Sequence, residues 1–304
     1  LRSLWTLWRG FRQSSTLIGK LKPKVVIGFG GYPTLPPLFA ATRRRVPTLV
    51  HEQNAVMGRA NKALAPRVTA IAGGFLKAAG PYARKIAETG NPVRQAVLKV
   101  ADTPYERPQA DGPVRLLIFG GSQGARYFSD TVPEAIAVLS ATLRQQLRIV
   151  QQARSEDEAR VKARYGELGV EAEVAPFFAD LPARMAAAQL VVARSGASTV
   201  LELSVIGRPA ILVPLPHALD DDQGHNAQIL VDAGGAVMRR QGDLGVEALA
   251  AELGSLLADG DRLASMASGA RSVGRRDATL LLADLTEAIA SGKSAADFKK
   301  EMRP

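Results

Sequence analysis

Seven short apolar runs, most followed by a segment of helical length, constrain this chain more than any other feature. They are "KVVIGFG" (24–30), "TLVHE" (48–52), "VTAIAGG" (68–74), "RLLIFGG" (115–121), "LRIVQQA" (147–153), "LVVARS" (190–195) and "PAILVPL" (209–215). Helical patterns fill gaps between them, at 124–140, 155–166, 197–206, 223–233 and 277–291. Strands that are apolar throughout and alternate with helices form parallel sheets covered on both faces. The stretch "KVADTPYERPQADGP" (99–113) is polar and rich in proline, and reads as a linker between two such sheets. The expected division is an N-terminal domain at 1–98, the linker at 99–113 and a C-terminal domain at 114–281.

The chain has no cysteine, which excludes disulfides, zinc–thiolate sites and a cysteine nucleophile. No run of about 20 apolar residues is present to cross a bilayer. A first residue that is Leu and not Met raises the expectation that sequence is missing at the N-terminus. The net charge of +10 is unevenly placed. Residues 1–51 hold nine Lys or Arg and no Asp or Glu, whereas the other 30 basic residues are set against 29 acidic ones. One end of the molecule therefore carries a positive field suited to an anionic surface or substrate.

In open parallel sheets, ligands sit beyond the C-terminal ends of strands. Three strands here end in glycine-rich turns: "GFGGYP" (28–33), "FGGSQGA" (119–125) and "RSGAST" (194–199). None has the G-x-G-x-x-G spacing of a nicotinamide site. Glycine at a strand-to-helix turn lets backbone N–H groups approach a phosphate, and the helix dipole favours the anion. An ordinary tight turn with an N-cap Ser or Thr explains any one of them equally well. Two hydroxyl-rich turns in the second half favour a nucleotide diphosphate. Glu202 falls two turns into the helix after "RSGAST". It suits either the diol of a ribose or a salt bridge to a neighbouring Arg, and spacing alone leaves both open.

The blocks "GFGGYPTLPP", "HEQNAVMGRANKALA", "TGNPVR", "FGGSQGAR", "RSGASTVLEL" and "HALDDDQGHNAQIL" together resemble the MurG family of peptidoglycan glycosyltransferases. The likeness runs in order along nearly the whole chain. It implies an α/β protein with two Rossmann-like parallel-sheet domains facing a cleft, the glycosyltransferase-B fold, in which residues 282–304 return to the N-terminal domain. It implies an inverting transfer of N-acetylglucosamine (GlcNAc) from UDP-GlcNAc to the MurNAc 4-hydroxyl of lipid I, with no cofactor and no metal. Carried over by motif, Ser122 binds a donor phosphate and Phe178 offers its backbone to uracil. Ala197, Ser198, Thr199, Val200, Leu201 and Glu202 line the pyrophosphate and ribose. Gln223 and Asn226 read the sugar hydroxyls, and Asn54 and Arg94 reach the donor from the N-terminal side. The family's opening "GGTGGH"-type loop, with its proposed histidine base, is absent from this sequence, so the first domain is expected to be incomplete.

His51, at the end of a strand, is a candidate base, with a structural histidine the equal alternative. The run Asp220–Asp222 mimics a metal-binding D-x-D but is expected to be a polar loop. In "LRSLWTLWRGF", Leu1, Leu4, Trp5, Trp8 and Phe11 share one helical face, opposite Arg2 and Arg9. Such a helix packs on its own sheet or lies at a membrane interface. The resemblance favours peripheral binding to the anionic inner leaflet, at the cytoplasmic face of a bacterial inner membrane. A UDP-GlcNAc 2-epimerase shares the fold but needs no lipid acceptor, so the greasy basic helix speaks against it. A non-catalytic nucleotide-sugar binding fragment is the alternative from another class. Nucleic acid is not an expected partner, because the basic residues accompany an apolar helix face and no groove-reading motif.

Overall fold

The structure, a computed structural model, describes residues 2–109, 112–216 and 220–301, and their side chains except those of residues 2–4, 122 and 123. The chain divides into two compact units, Leu1–Pro92 with Arg276–Pro304, and Val93–Arg275. Among the described residues, no helix is long and apolar enough to cross a membrane.

The first unit runs α1 (Arg2–Leu21), β1 (Val26–Gly28), α2 (Leu35–Arg43), β2 (Thr48–Glu52), α3 (Arg59–Leu64), β3 (Ala70–Gly73) and β4 (Ile86–Ala87). Its four strands are parallel, in the order β1-β2-β3-β4. All five residues of β2 are buried, as a strand covered on both faces requires. Val50 faces a cluster with Leu38, Leu64 and Ile71, and its neighbour Leu49 faces the opposite one.

The second unit runs α4 (Gln95–Leu98), β5 (Val114–Phe119), α5 (Gly121–Val138), α6 (Ala141–Gln146), β6 (Leu147–Gln152), α7 (Ser155–Glu167), β7 (Glu171–Ala175), α8 (Leu181–Ala187), β8 (Leu190–Ala193), α9 (Ala197–Ile206), β9 (Ala210–Leu212), α10 (Asp222–Asp232), β10 (Ala236–Met238), α11 (Val246–Leu257) and α12 (Gly260–Ser272). The sheet is parallel, in the order β10-β9-β8-β5-β6-β7. The chain starts at β5, winds outward through β6 and β7, then returns to β8 on the other side. This is the doubly wound order, and its switch point lies between β5 and β8. The chain then re-enters the first unit as α13 (Ala278–Ala290) and α14 (Ala295–Glu301). There Leu282, Leu285, Ile289 and Phe298 complete the Leu49 cluster.

Two differences from the sequence pattern have physical causes. The units part at Pro92 and Val93, ahead of the expected linker at 99–113. That stretch is tied to the second unit by two arginines. Arg208 donates to the carbonyls of Thr103 and Pro104, and Arg271 to those of Ala101 and Ile206. Three strands carry no apolar run. β4 and β10 have two and three residues, and β7 is an edge strand whose Glu171 and Glu173 face solvent.

Candidate functional site

At the switch point, the turns after β5 and β8 each deliver a helix start whose N-cap residue is a glycine and offers no side-chain cap of its own. The N-cap residues are Gly120 for α5 and Gly196 for α9. The first-turn amides of a helix need acceptors, and the macrodipole makes that place favourable for an anion. A Cβ on Gly120 would lie 2.6 Å from the carbonyl carbon of Gly124, so only glycine allows this tight entry into α5. Ser122 stands in the first turn of α5; its side chain lies outside the described ones. Beside α9, Ser195 is fully buried, and its hydroxyl has no hydrogen-bond partner.

Glu202, on α9, is 5% exposed. Burial pushes its carboxyl above the usual range, and the hydrogen bond and charge of Arg94 pull it back. Arg94 caps the start of α4 within the second unit, where its Nε donates to Glu202 Oε1 at 2.9 Å. Of the other residues singled out in the sequence, Gln223 accepts the amide of Leu215 at 2.9 Å. Asn226 is buried and donates to the carbonyl of Ser195 at 3.4 Å. Phe178 is buried in the turn after β7, with the Arg184 guanidinium 4.4 Å above its ring. Ala197, Ser198 and Thr199 form the first turn of α9, and Val200 and Leu201 are buried.

Several contributors are illegible from motif spacing. Gln152, at the end of β6, accepts the amides of Gly120 and Gly121 and donates to the carbonyl of Pro176. It thereby joins the glycine turn to the loop that carries Phe178. Arg194, at the end of β8, is 6% exposed, and its hydrogen bonds run to backbone carbonyls and a side-chain amide. It donates to the carbonyls of Val213 and Pro214 and to Gln241, and stacks over Tyr127 and Phe128. Burial lowers its pKa, but an arginine stays charged. A buried cation therefore lies beside the start of α5. Asp221, within the triple-Asp run, is held by a two-pronged ion pair to Arg240 at 2.6 Å. Among the described residues, no group of three or more His, Asp or Glu is placed to hold a metal ion.

In the first unit, the carboxylate of Glu52 organises the loop after β2. It accepts from Asn54 N and Nδ2, from Gly58 N and from Asn61 Nδ2. A cavity of about 520 Å³ opens here, bordered by Gly30, Gly31, Asn54, Arg59 and Asn61. Asn61 is 2% exposed, and its Oδ1 has no partner. His51, the candidate base, is buried. Its ring has no exposed surface, Nε2 donates to the Gly90 carbonyl at 3.1 Å, and burial holds its pKa below the ordinary value. Of the two sequence alternatives, this environment favours the structural histidine. Trp5 and Trp8, by contrast, are exposed at 58% and 46% and stack 5.1 Å apart, whereas Phe11 tucks against Phe39. The side chain of Leu4 lies outside the described ones, as does Leu1.

Two parallel α/β sheets, one doubly wound with glycine-led helix starts at its switch point, have the architecture of nucleotide-binding α/β proteins. The chain belongs to glycosyltransferase family 28 and within it to the MurG family: residues 115–282 match the family's C-terminal domain and residues 1–73 its N-terminal domain. A relative from Chelativorans sp. is 63% identical over 99% of this chain and 80% of its own length. It is a UDP-N-acetylglucosamine--N-acetylmuramyl-(pentapeptide) pyrophosphoryl-undecaprenol N-acetylglucosamine transferase, as is a Mesorhizobium japonicum relative at 62% over 99% of this chain and 80% of its own. The crystal structure of MurG from Acinetobacter baumannii superposes with a TM-score of 0.77 at 31% identity, over 93% of this chain and 80% of that one. The fold is therefore the two-domain glycosyltransferase-B type.

Proposed function

We propose that this chain is an N-acetylglucosaminyltransferase that moves GlcNAc from UDP-GlcNAc to the MurNAc 4-hydroxyl of lipid I, giving lipid II for peptidoglycan. The observation that carries the reading is the switch point of the second unit. The glycine-led starts of α5 and α9, the buried cation Arg194 and the buried carboxylate Glu202 lie on the elements that meet there, in a chain 63% identical to a relative of that activity. The helix starts take the UDP diphosphate, and Glu202 accepts from the ribose hydroxyls. Gln223 and Asn226 serve the sugar. As the acceptor oxygen attacks the anomeric carbon, the glycosidic bond to UDP breaks and charge develops on the diphosphate. Preformed dipoles and Arg94 stabilise that charge.

The first unit takes the acceptor, its polar cavity holding the head group. Asn54, expected from the resemblance to reach the donor, donates through its backbone and side-chain amides to Glu52. The exposed Trp pair and the basic N-terminal stretch dock the chain peripherally on an anionic leaflet at the cytoplasmic face. The test is release of UDP and formation of the disaccharide product, from UDP-GlcNAc and a lipid I analogue. Release of a 2-epimerised sugar nucleotide with no acceptor would instead make the chain an epimerase. UDP binding without either product would make it a binding module.

A further inference from the structure

Gln152 ends β6, the strand that lies between β5 and β7 in the second unit's sheet. Ile118 of β5 stands opposite Gln151, and Ala175, the last residue of β7, stands opposite Gln152. The Gln152 side chain is therefore level with the exits of both neighbouring strands. Its Oε1 accepts the amides of Gly120 at 3.3 Å and Gly121 at 3.0 Å, where β5 turns into α5. Its Nε2 donates to the carbonyl of Pro176 at 3.1 Å, where the chain leaves β7. These partners fix the orientation of the carboxamide, because two N–H groups require its oxygen and a carbonyl requires its NH2.

Each exit is built to use this tie. Gly121 is left-handed, with φ at 65°, and the turn presents two successive amides to one acceptor. The loop after β7 is held at its far end by Arg184, which donates to Asp180 and Glu173 and lies 4.4 Å from the Phe178 ring. At its near end Pro176 has no N–H to offer a ladder, and Gln152 holds its carbonyl. An apolar side chain of equal length would meet none of these groups. A carboxylate would meet the two amides but repel the Pro176 carbonyl.

We propose that Gln152 is a positioning residue that couples recognition of the donor's base to recognition of its diphosphate. The inference rests on the reading that the donor is a uridine diphosphate sugar, with its diphosphate at the start of α5 and its uracil at the loop of Phe178. A displacement of the glycine turn passes through one planar carboxamide to Pro176, two residues before Phe178. Base selectivity thus depends on the same side chain that shapes the start of α5. Gln152 acts through backbone groups and takes no part in the bond changes of the transfer.

Calorimetry on the full chain, with UDP, CDP and UMP as ligands, tests this. The affinity ratio of UDP to CDP reads the base, and that of UDP to UMP reads the second phosphate. Gln152→Met keeps the length of the side chain and loses its three hydrogen bonds. Both ratios should fall there by about three- to tenfold, the range of one neutral hydrogen bond at each loop. In Gln152→Glu the ionised carboxylate still accepts both amides but cannot donate to Pro176, so the UDP-to-CDP ratio should fall again. The added charge cancels in that ratio, because both ligands carry the same diphosphate. This variant is also the second route should the first fail to fold; thermal melts check both. A merely structural glutamine would lower the melting temperature, or weaken all three nucleotides alike, and leave both ratios unchanged, which overturns the proposal. A fall confined to one ratio in Gln152→Met overturns it too, as does an unchanged UDP-to-CDP ratio in Gln152→Glu. A parent chain that binds UDP no better than CDP would sink the uridine-donor reading and the inference with it. A parent that prefers UDP, with variants that keep the preference, would sink the inference alone.

Discussion

Arg94 and Glu202 hold each other across the start of α4 and the middle of α9, with Nε at 2.9 Å and Nη2 at 2.6 Å from the same carboxylate oxygen. The family resemblance gives these two residues different parts of one donor, the diphosphate and the ribose. In the structure each is the other's partner. Glu202 is the buried member and Arg94 the exposed one, with side-chain exposures of 7% and 61%. Arg94 can therefore leave more cheaply than Glu202 can lose its last partner.

The first prediction concerns that exchange. Glu202→Ala should weaken UDP binding by roughly 1.5–3 kcal/mol, about 10- to 150-fold, as expected for a lost charge-assisted hydrogen bond. Burial raises the Glu202 pKa and Arg94 opposes the rise. UDP affinity should fall as pH drops through that raised value and protonates the acceptor. In Arg94→Met the opposing charge is gone, so the midpoint of this fall should move to higher pH. Calorimetry across a pH series reads both effects, and an unmoved midpoint would detach Arg94 from Glu202's titration.

A second prediction concerns the buried cation. A Cβ on Gly124 would come within 2.6 Å of Arg194 Cγ and Nε. Arg194 cannot swing away, because carbonyls and two aromatic rings hold it. Gly124→Ala should therefore destabilise: overpacking costs about 1–3 kcal/mol, against a helix-propensity gain near 1 kcal/mol. In an Arg194→Ala background the clash disappears and the same substitution should become neutral or stabilising. Additive effects in the double-mutant cycle would show that the two positions do not meet.

The third prediction is a pH dependence of stability. Burial lowers the His51 pKa in the folded chain, outweighing the Gly90 hydrogen bond and the Glu52 charge. The unfolded chain, with an ordinary histidine near 6.5, binds the proton more readily. The neutral ring's contribution is thus complete above that value and is lost as pH falls towards the lowered folded one. Melting temperature should drop on acidification through this window, and His51→Asn should flatten that part of the curve. A variant whose pH profile retains the full slope would assign it to other groups.

Much of the second unit was legible because buried parallel strands write themselves as apolar runs; "LVVA" is β8 without remainder. β7 was not, since "EAEVA" sits at an edge and shows its glutamates to water. Glu202 stood out by its offset from a strand end, and in the structure it pairs with Arg94. Arg94 itself is separated from Glu202 by 108 positions, which no local pattern can bridge. Gln152 and Arg194 act through backbone carbonyls and amides. Such partners have no residue identity, so they leave no motif. His51 reads in sequence like a site residue because it ends a strand, and its burial against Gly90 does not show in the sequence.

A fourth prediction is that turnover persists in excess chelator. Asp221 is committed to Arg240, and a Cβ on Gly224 would lie 2.4 Å from its carboxylate, so the pair is packed into place. In the proposed reading, helix starts and arginines meet the charge on the departing diphosphate. Loss of transfer in chelator, restored by a divalent ion and lost again in Asp220→Ala with Asp222→Ala, would reassign the run to a metal.

The fifth prediction concerns the proposed membrane face. Trp5 and Trp8 are exposed and stacked, with the Arg12 guanidinium 4.9 Å from the Trp8 ring. They are therefore not core residues, and Trp5→Ala with Trp8→Ala should leave the melting temperature nearly unchanged. Co-sedimentation with anionic vesicles should fall in that variant, while UDP affinity holds. Attraction between the basic N-terminal stretch and the leaflet is screened over about 8 Å at physiological salt, so binding of the parent should weaken as salt rises. The aromatic share should survive high salt, because burial of apolar surface in the interface does not depend on ionic strength. A double variant that sediments like the parent would remove the Trp pair from the membrane contact. Binding that ignores salt would do the same for the arginines and lysines.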